Sequence, residues 1–319
     1  MPDFSPTDYA VPCFVALVLI EMIWARFRRP EAYEPKDTLV SLGFGLGSTV
    51  AGVLFGGAAI AVFAGAYEFR LLTVGWEWWA WPLCFILDDL KYYWVHRAGH
   101  RVRWMWASHV NHHSSQHYNL STALRQSWTG AFTFGLLFAL PLVLLGFHPV
   151  MIAVCGGFNL IYQFWIHTEA IERMPRWFEA VMNTPSHHRV HHATNPRYLD
   201  RNYAGVFIVW DKMFGTFEEE TQEEERIRYG IVKQLGSFNL LWAVFHEWIG
   251  MAQDIWHSPW RHKLSYLLRP PGWTHDGSRE TSDQIRAQWI ERTGQTKRHN
   301  TAPASTSDQF PIEEQASAH

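Results

Sequence analysis

Histidine is the residue type with the most unusual distribution in this sequence. Twelve of its 18 histidines lie between residues 96 and 192. Imidazole is a common ligand of zinc, copper, nickel and iron. On a helix, residues three and four positions apart share a face, so each group is predicted to aim its imidazoles at one point. The groups are one H-x-x-x-H and two H-x-x-H-H boxes: His96 and His100; His109, His112 and His113; His188, His191 and His192.

The number of clustered imidazoles exceeds what one metal ion needs. A catalytic zinc takes three protein ligands and keeps one position for water, so eight imidazoles suit two metal ions with open positions. His167 is a predicted ninth ligand at the end of an apolar segment, with a supporting role beside the ligands as the alternative. His187 is a predicted tenth, because it lies four residues before His191. Ligand type alone does not choose the metal.

One carboxylate lies on the same predicted helix face as the first histidine group. At about 100° per residue, Asp89, Tyr93, His96 and His100 form one stripe. Carboxylates often accept a hydrogen bond from a metal-ligating imidazole. Asp89 is therefore the predicted acceptor that holds a ligand ring, and an interfacial Asp–Lys pair is the alternative.

The apolar residues are grouped in blocks, which predicts an integral-membrane protein. Hydrophobic residues make up 48% of the chain and charged residues 18%. A membrane-spanning helix needs roughly 20 apolar residues, and five segments come close. The net charge of −3 gives no reason to expect nucleic acid as a partner. The five segments are 9–24, 39–66, 76–95, 131–145 and 151–166, and the last two are predicted to form a helical hairpin.

The basic residues between these segments predict an orientation. Arg26, Arg28, Arg29 and Lys36 lie between the first two segments, whereas Arg70 alone lies between the second and third. Loops rich in Lys and Arg stay in the cytoplasm. The N-terminus is therefore predicted to lie outside, and the histidine groups on the cytoplasmic side. The protein is predicted to lie in a bacterial inner membrane, or in the endoplasmic reticulum if the source is eukaryotic.

The predicted fold is all-α, a membrane helical bundle with a cytoplasmic cap that holds a histidine-rich two-metal site. Residues 1–80 are expected to form N-terminal membrane helices, and 81–217 a catalytic domain. Residues 218–292 are predicted to be a cytoplasmic or membrane-surface region. Residues 238–249 of this region have an apolar stripe. Residues 204–217, in the catalytic domain, are predicted to form a strand or an amphipathic helix. The polar tail 293–319 is predicted to be disordered.

Five stretches resemble the fatty acid hydroxylase superfamily, also called the sterol desaturase family. The similarity is greatest to its alkylglycerol monooxygenase branch. Arg101 and Gln116 stand where that branch tends to carry acidic residues, a difference that bears on the substrate and on the pterin cofactor. The stretches are DDLKYYWVHRAGH (88–100), HVNHHSSQHYNLSTALRQS (109–127), QFWIHTE (163–169), NTPSHHRVHH (183–192) and YLDRNYAGVFIVWDKMFGTF (198–217).

The resemblance implies a membrane enzyme that uses two iron ions and O2 to hydroxylate or desaturate an aliphatic C–H of a lipid. An ether lipid is the leading substrate, and a sterol, carotenoid, hopanoid or acyl chain is the alternative. The chain has no G-x-G-x-x-G fingerprint, so electrons must come from reduced pterin, cytochrome b5 or ferredoxin. The resemblance also implies eight iron ligands, which are His96, His100, His109, His112, His113, His188, His191 and His192.

Two other classes of protein could use clustered imidazoles in a membrane. A zinc-dependent membrane hydrolase would activate water with the same side chains and would consume no O2. A metal transporter would place its ligands along the membrane helices, whereas here they gather at the predicted inner ends and in loops. A metal assay combined with O2 uptake separates these classes from an oxygenase.

Overall fold

The regular secondary structure is helical in the residues that the computed structural model describes, which are 6–221 and 226–294. In these ranges Met182 and Phe207 form an isolated bridge, and no strand is present. This confirms the all-α prediction. The helices of the described residues are α1 (Pro6–Arg28), α2 (Pro35–Tyr67), α3 (Ala80–Arg101), α4 (Arg103–His113), α5 (Leu140–Leu145), α6 (Pro149–Trp165), α7 (Arg176–Glu179), α8 (Pro185–His191), α9 (Val209–Met213), α10 (Leu240–His257), α11 (Lys263–Leu268) and α12 (Ser282–Thr293).

Helices α1 and α2 have the length and apolar composition of membrane spans. The candidate spans are Tyr9–Arg28 and the 33 residues of Pro35–Tyr67. Many of their large apolar side chains are exposed, and Val53 on α2 is 80% exposed. A contiguous apolar surface of this kind marks contact with lipid or another protein. Two of the five predicted segments therefore form helices that are both long enough and apolar enough to cross a bilayer.

The third and fifth predicted segments are helices that pack together. Helix α3 contacts both α4 and α6, and α6 has 17 residues. Their contact includes a buried core in which Cys84 of α3 lies with Met151 and Cys155 of α6. Helix α3 continues past the predicted segment as far as Arg101. This extension places His96 and His100 on a rigid element.

The fourth predicted segment is shorter and less regular than predicted, so the first arm of the predicted hairpin is not one continuous helix. Residues 131–145 are divided into 3-10 turns, Gly130–Thr133 and Gly135–Ala139, followed by the six residues of α5. Phe134 separates the turns with a φ of 57°. A non-glycine residue rarely adopts this left-handed conformation, and it interrupts a continuous helix.

The C-terminal region contains α10, α11 and α12, whereas its described residues 226–239 form no helix. The predicted apolar stripe at 238–249 belongs to α10, which packs against α4. Of the segment 204–217, residues Val209–Met213 form α9, and the remainder is irregular. The predicted disordered tail lies outside the described residues from 295 onward.

A buried ion pair joins the start of α2 to the chain that follows α4. The Arg125 guanidinium donates to the Asp37 carboxylate at 2.5 Å, and also to the hydroxyls of Ser41 and Ser114. The side chains of Arg125 and Asp37 are only 2% and 7% exposed. Two charges this deeply buried are stable only while each compensates the other. The pair therefore fixes the span-length helix α2 to the segment that follows the α4 histidines.

We expect Asp37→Ala to destabilise the protein by about 3–5 kcal/mol, because Arg125 would stay buried without a counter-ion. Thermal unfolding in detergent measures the effect. Lys36→Ala, at the exposed neighbouring position, is the control and should change stability by less than about 0.5 kcal/mol. Equal unfolding temperatures for the two variants would contradict a structural role for the pair.

Candidate metal centre

Four parts of the chain bring nine imidazoles together in two groups. Helices α3, α4 and α8 contribute side chains, and His167 follows directly after α6. In each group every member offers one ligand atom, and these atoms all lie within 4.8 Å of one another. The first group is His96, His100, His109, His113 and His191; the second is His112, His167, His188 and His192.

The Nε2 atoms converge in both groups. In the first group, His109 Nε2 lies 3.0 Å from His96 Nε2 and 3.2 Å from His113 Nε2. His191 Nε2 is 3.1 Å from His113 Nε2. Several nitrogen lone pairs facing a common point are the arrangement that a cation stabilises.

The second group repeats this convergence. His167 Nε2 lies 3.2 Å from His112 Nε2 and 3.0 Å from His188 Nε2, and His192 Nε2 lies 3.2 Å from His188 Nε2. Imidazole nitrogens bind a metal at about 2.0–2.1 Å. Two nitrogens at right angles around one ion are then about 3 Å apart. The spacings therefore suit metal coordination better than direct imidazole–imidazole hydrogen bonds.

Each H-x-x-H-H box is shared between the two groups, which corrects the prediction that each box aims at one point. His109 and His113 of α4 join the first group, whereas His112 joins the second. Adjacent residues on a helix point about 100° apart, so His112 and His113 face different centres. The box in α8 divides in the same way, with His188 and His192 in one group and His191 in the other.

Hydrogen bonds at Nδ1 orient several of the rings. The Nδ1 atoms of His96, His167 and His191 lie 2.7, 2.7 and 2.9 Å from the backbone carbonyls of Tyr203, Gln163 and Arg201. A carbonyl can only accept, so Nδ1 carries the proton in each ring. This tautomer leaves the Nε2 lone pair free to bind a metal. Hydrogen bonds to the other ring nitrogen orient ligand imidazoles in the same way in known metal sites.

The environment keeps these rings neutral. Burial is the largest cause that lowers the pKa of His109, His113 and His192 well below the usual value, and neighbouring histidines lower it further. The pKa of His96 falls to about 3 and that of His167 to about 4. A neutral imidazole is the form that binds metal. His100 Nε2 is buried without a hydrogen-bond partner in the described residues, which also fits an ion at that point.

The sequence comparison identifies the part of the chain that carries this site. Residues 81–216 match the family model described as fatty acid hydroxylase. This part of the chain therefore carries a fatty acid hydroxylase domain. The match confirms the resemblance inferred from the five stretches, and all nine grouped histidines lie inside this fatty acid hydroxylase domain.

Individual relatives extend the similarity beyond the domain. The chain is 39% identical over 278 residues to alkylglycerol monooxygenase of Homo sapiens, an alignment that covers 86% of this chain and 60% of the human protein. Identity to the Danio rerio alkylglycerol monooxygenase is 38% over 300 residues, covering 92% and 65%. The chain therefore spans less than two thirds of the length of these relatives.

A more distant similarity points to a second type of hydroxylase. Cholesterol 25-hydroxylase of Homo sapiens is 26% identical over 146 residues, which covers 42% of this chain and 49% of that protein. No match was found among solved structures. The identity is therefore greater to the alkylglycerol monooxygenases than to cholesterol 25-hydroxylase.

His187 lies outside both histidine groups of the fatty acid hydroxylase domain. Its ring packs edge-on against Phe217, with centroids 5.3 Å apart. Helix α8 begins at Pro185, after Thr184, and this start directs His188 toward the centre. Because adjacent helical residues diverge by about 100°, His187 then points elsewhere. The structure therefore does not support His187 as a tenth ligand.

Asp89 is placed differently from the prediction. It accepts hydrogen bonds from the backbone N–H groups of Val206 and Phe207, and from the side chains of Asn159 and Trp210, all at 2.8–2.9 Å. In the described residues no imidazole donates to it. The carboxylate instead anchors the 203–207 segment of the fatty acid hydroxylase domain, whose Tyr203 carbonyl holds His96.

Sequence reasoning missed two carboxylates that support the metal-site histidines. Asp211 accepts from the backbone N–H groups of Tyr203 and Ala204, each at 2.8 Å, and so fixes the same segment from the other side. Asp200 Oδ1 lies 3.4 Å from His100 Nδ1, and its other oxygen accepts from Arg101. Both lie in the stretch 198–217, whose resemblance to the family was the available signal.

We expect Asp200→Asn to weaken metal binding by about 10–100-fold, the usual effect of losing a carboxylate beside a ligand imidazole. Asparagine tolerates the φ of 56° found at Asp200, so the backbone should be retained. Chelator competition measures the affinity, and Asp276→Asn at an exposed position is the control. Unchanged affinity in Asp200→Asn would show that this carboxylate does not support the site.

Proposed function

We propose that this protein is a membrane-bound, O2-dependent di-iron monooxygenase that hydroxylates an aliphatic C–H of a lipid. The observation that carries the proposal is the pair of converging histidine groups, which lie within a fatty acid hydroxylase domain. An ether lipid is the proposed substrate, because the relatives with 38–39% identity are alkylglycerol monooxygenases. Desaturation is the alternative outcome at the same site.

The nine grouped imidazoles would hold two iron ions, five rings around one and four around the other. Bound iron would supply the one-electron chemistry that activates O2 toward an unactivated C–H. The protein's own contribution is to keep the rings neutral, to orient them through Nδ1, and to place one substrate carbon beside them.

A large cavity gives a lipid access to the histidine groups. It has a volume of about 1130 Å³, and its lining includes His96 and His109 of the first group and His112 and His167 of the second. A substrate in this cavity would therefore meet both groups. Burial of the rings limits water at the same point, which protects a reactive oxidant from side reactions.

The proposed reaction balances as follows. One oxygen atom of O2 enters a C–H bond of the lipid, and the other leaves as water after uptake of two electrons and two protons. If the carbon is next to an ether oxygen, the product is a hemiacetal. This hemiacetal breaks its C–O bond and yields a fatty aldehyde and a glycerol derivative, with no further oxidant.

The electrons must come from a separate donor, for which reduced pterin, cytochrome b5 and ferredoxin remain the candidates. The proposed orientation places the histidine groups on the cytoplasmic side, where soluble donors can reach them. The basic residues Arg26, Arg28 and Arg29 at the end of α1 support this orientation.

The direct test supplies purified, iron-loaded protein with octadecylglycerol, reduced pterin and O2. We expect octadecanal as the product. If active protein releases no aldehyde but hydroxylates cholesterol, the sterol alternative suggested by the cholesterol 25-hydroxylase relatives would replace the ether-lipid proposal. If no lipid is oxidised by protein that holds two irons, the oxygenase proposal itself fails.

A further inference from the structure

We infer that the hydrocarbon tail of the substrate lies along the glycine-bearing face of α2 and enters the cavity laterally, between α1 and α2. Gly52 and Gly56 would then determine the length of chain that is accepted. This inference rests on the proposed function, because it describes how the same site receives a lipid. It also states the shape of that lipid, a single-chain amphiphile with an uncharged head.

The cavity has the length that a membrane lipid requires. Residues of α2 line it from Gly45 to Ile60, and 15 residue steps at 1.5 Å each give about 22 Å. Half of a bilayer's hydrocarbon core is about 15 Å thick. The cavity is therefore long enough for a lipid tail that extends through one leaflet.

The far end of the cavity opens onto the apolar surface of the span-length helices. Val53 and Ile60 of α2 line the cavity although they are 80% and 70% exposed, and Val11 of α1 lines it at 50% exposure. Helices α1 and α2 both pack against α6 and the turn Leu120–Leu124, but they make little direct contact with each other. The two helices thus form separate walls, and a tail can pass between them directly from a bilayer.

The end near the histidines is polar but carries no available charge. Ser108, Gln126 and Gln163 line this region. Apart from the histidines, Arg125 is the one charged side chain among the described residues that line the cavity, and its guanidinium is paired with Asp37. A neutral hydroxylated head fits this region, whereas a phosphate would have no free cation to bind. The polar end and the metal ligands coincide, so oxidation should occur near the head group.

The glycines of α2 provide the width that the tail needs. A Cβ added at Gly52 or Gly56 would meet no atom within 4 Å, although both residues line the cavity. A side chain at either position would therefore begin in open space at the cavity. Gly65 on the same helix is also free of neighbours but does not line the cavity.

This difference provides a matched experiment with Gly56→Phe, Gly52→Phe and the control Gly65→Phe. We expect Gly56→Phe and Gly52→Phe to lower turnover of octadecylglycerol by about tenfold or more, the scale of steric exclusion in an apolar pocket. Turnover of octylglycerol should stay within about twofold, and Gly65→Phe should behave as wild type. Equal losses for both chain lengths, or no loss in Gly56→Phe, would overturn the inference.

A second readout does not depend on turnover. Octadecylglycerol carrying a diazirine at the end of its chain should label residues near Val53 and Ile60 in wild type, and Gly56→Phe should reduce that labelling. Labelling elsewhere, or unchanged labelling in the variant, would overturn the tail placement. Absence of aldehyde in wild type together with correct labelling would instead reject the proposed function and leave the tail placement standing.

Discussion

His188→Ala is expected to lose both bound metal and activity, by more than about 100-fold, whereas His187→Ala keeps both. His188 Nε2 lies 3.0 Å from His167 Nε2 and 3.2 Å from His192 Nε2, so its loss removes one of four imidazoles in the second group. Three imidazoles would remain in the second group, and the loss of one direct ligand should weaken metal binding more than the loss of an outer hydrogen bond does. Metal analysis by mass spectrometry and aldehyde release measure the two effects.

The comparison is well controlled because the two histidines are neighbours in α8 and both are buried, at 3% for His187 and 1% for His188. Truncation at either position costs similar packing, so a general loss of folding would affect both variants alike. Equal metal loss in His187→Ala and His188→Ala would contradict the assignment of His187 to a position outside the centre. Full metal content in His188→Ala would contradict the second metal group.

Protein loaded with zinc in place of iron is expected to bind two ions per chain and to release no fatty aldehyde above background. Imidazole ligands accept zinc as readily as iron, so the ligands present do not exclude it. Zinc has no redox chemistry and cannot pass electrons to O2, although it activates water well. A zinc-dependent hydrolase, the alternative class considered from the sequence, would instead cleave the ether C–O bond with water and release a fatty alcohol without consuming O2.

The zinc experiment requires iron-loaded protein from the same preparation as its control. Parallel metal analysis shows that both samples carry the same number of ions per chain. Cleavage of octadecylglycerol by the zinc sample without O2 consumption would reject the oxygenase and support the hydrolase.

The general nature of the site could be predicted from sequence because helical spacing determines which side chains share a face. The pairs His96 and His100, His109 and His113, and His188 and His192 each lie four residues apart, and each pair enters one group. Spacing alone could not separate His187 from His188, since each has a partner four residues later. That distinction depends on where α8 begins relative to the other helices, which is a tertiary property.

The supporting carboxylates were harder to predict for a related reason. Asp89 shares a helical stripe with His96, yet it accepts hydrogen bonds from the backbone N–H groups of Val206 and Phe207. Asp200 reaches His100 from an irregular segment with a positive φ, and periodicity carries no information about such segments. Hydropathy alone also could not reveal that Phe134 interrupts the fourth apolar segment.

The measurement that tests the central proposal most directly is the stoichiometry of O2 and product. Purified protein with two irons would receive octadecylglycerol and reduced pterin, and O2 consumption would be recorded together with octadecanal release. The proposed monooxygenase predicts about one O2 consumed for each aldehyde released, and no aldehyde in the absence of O2. Aldehyde released at the same rate without O2 would contradict it.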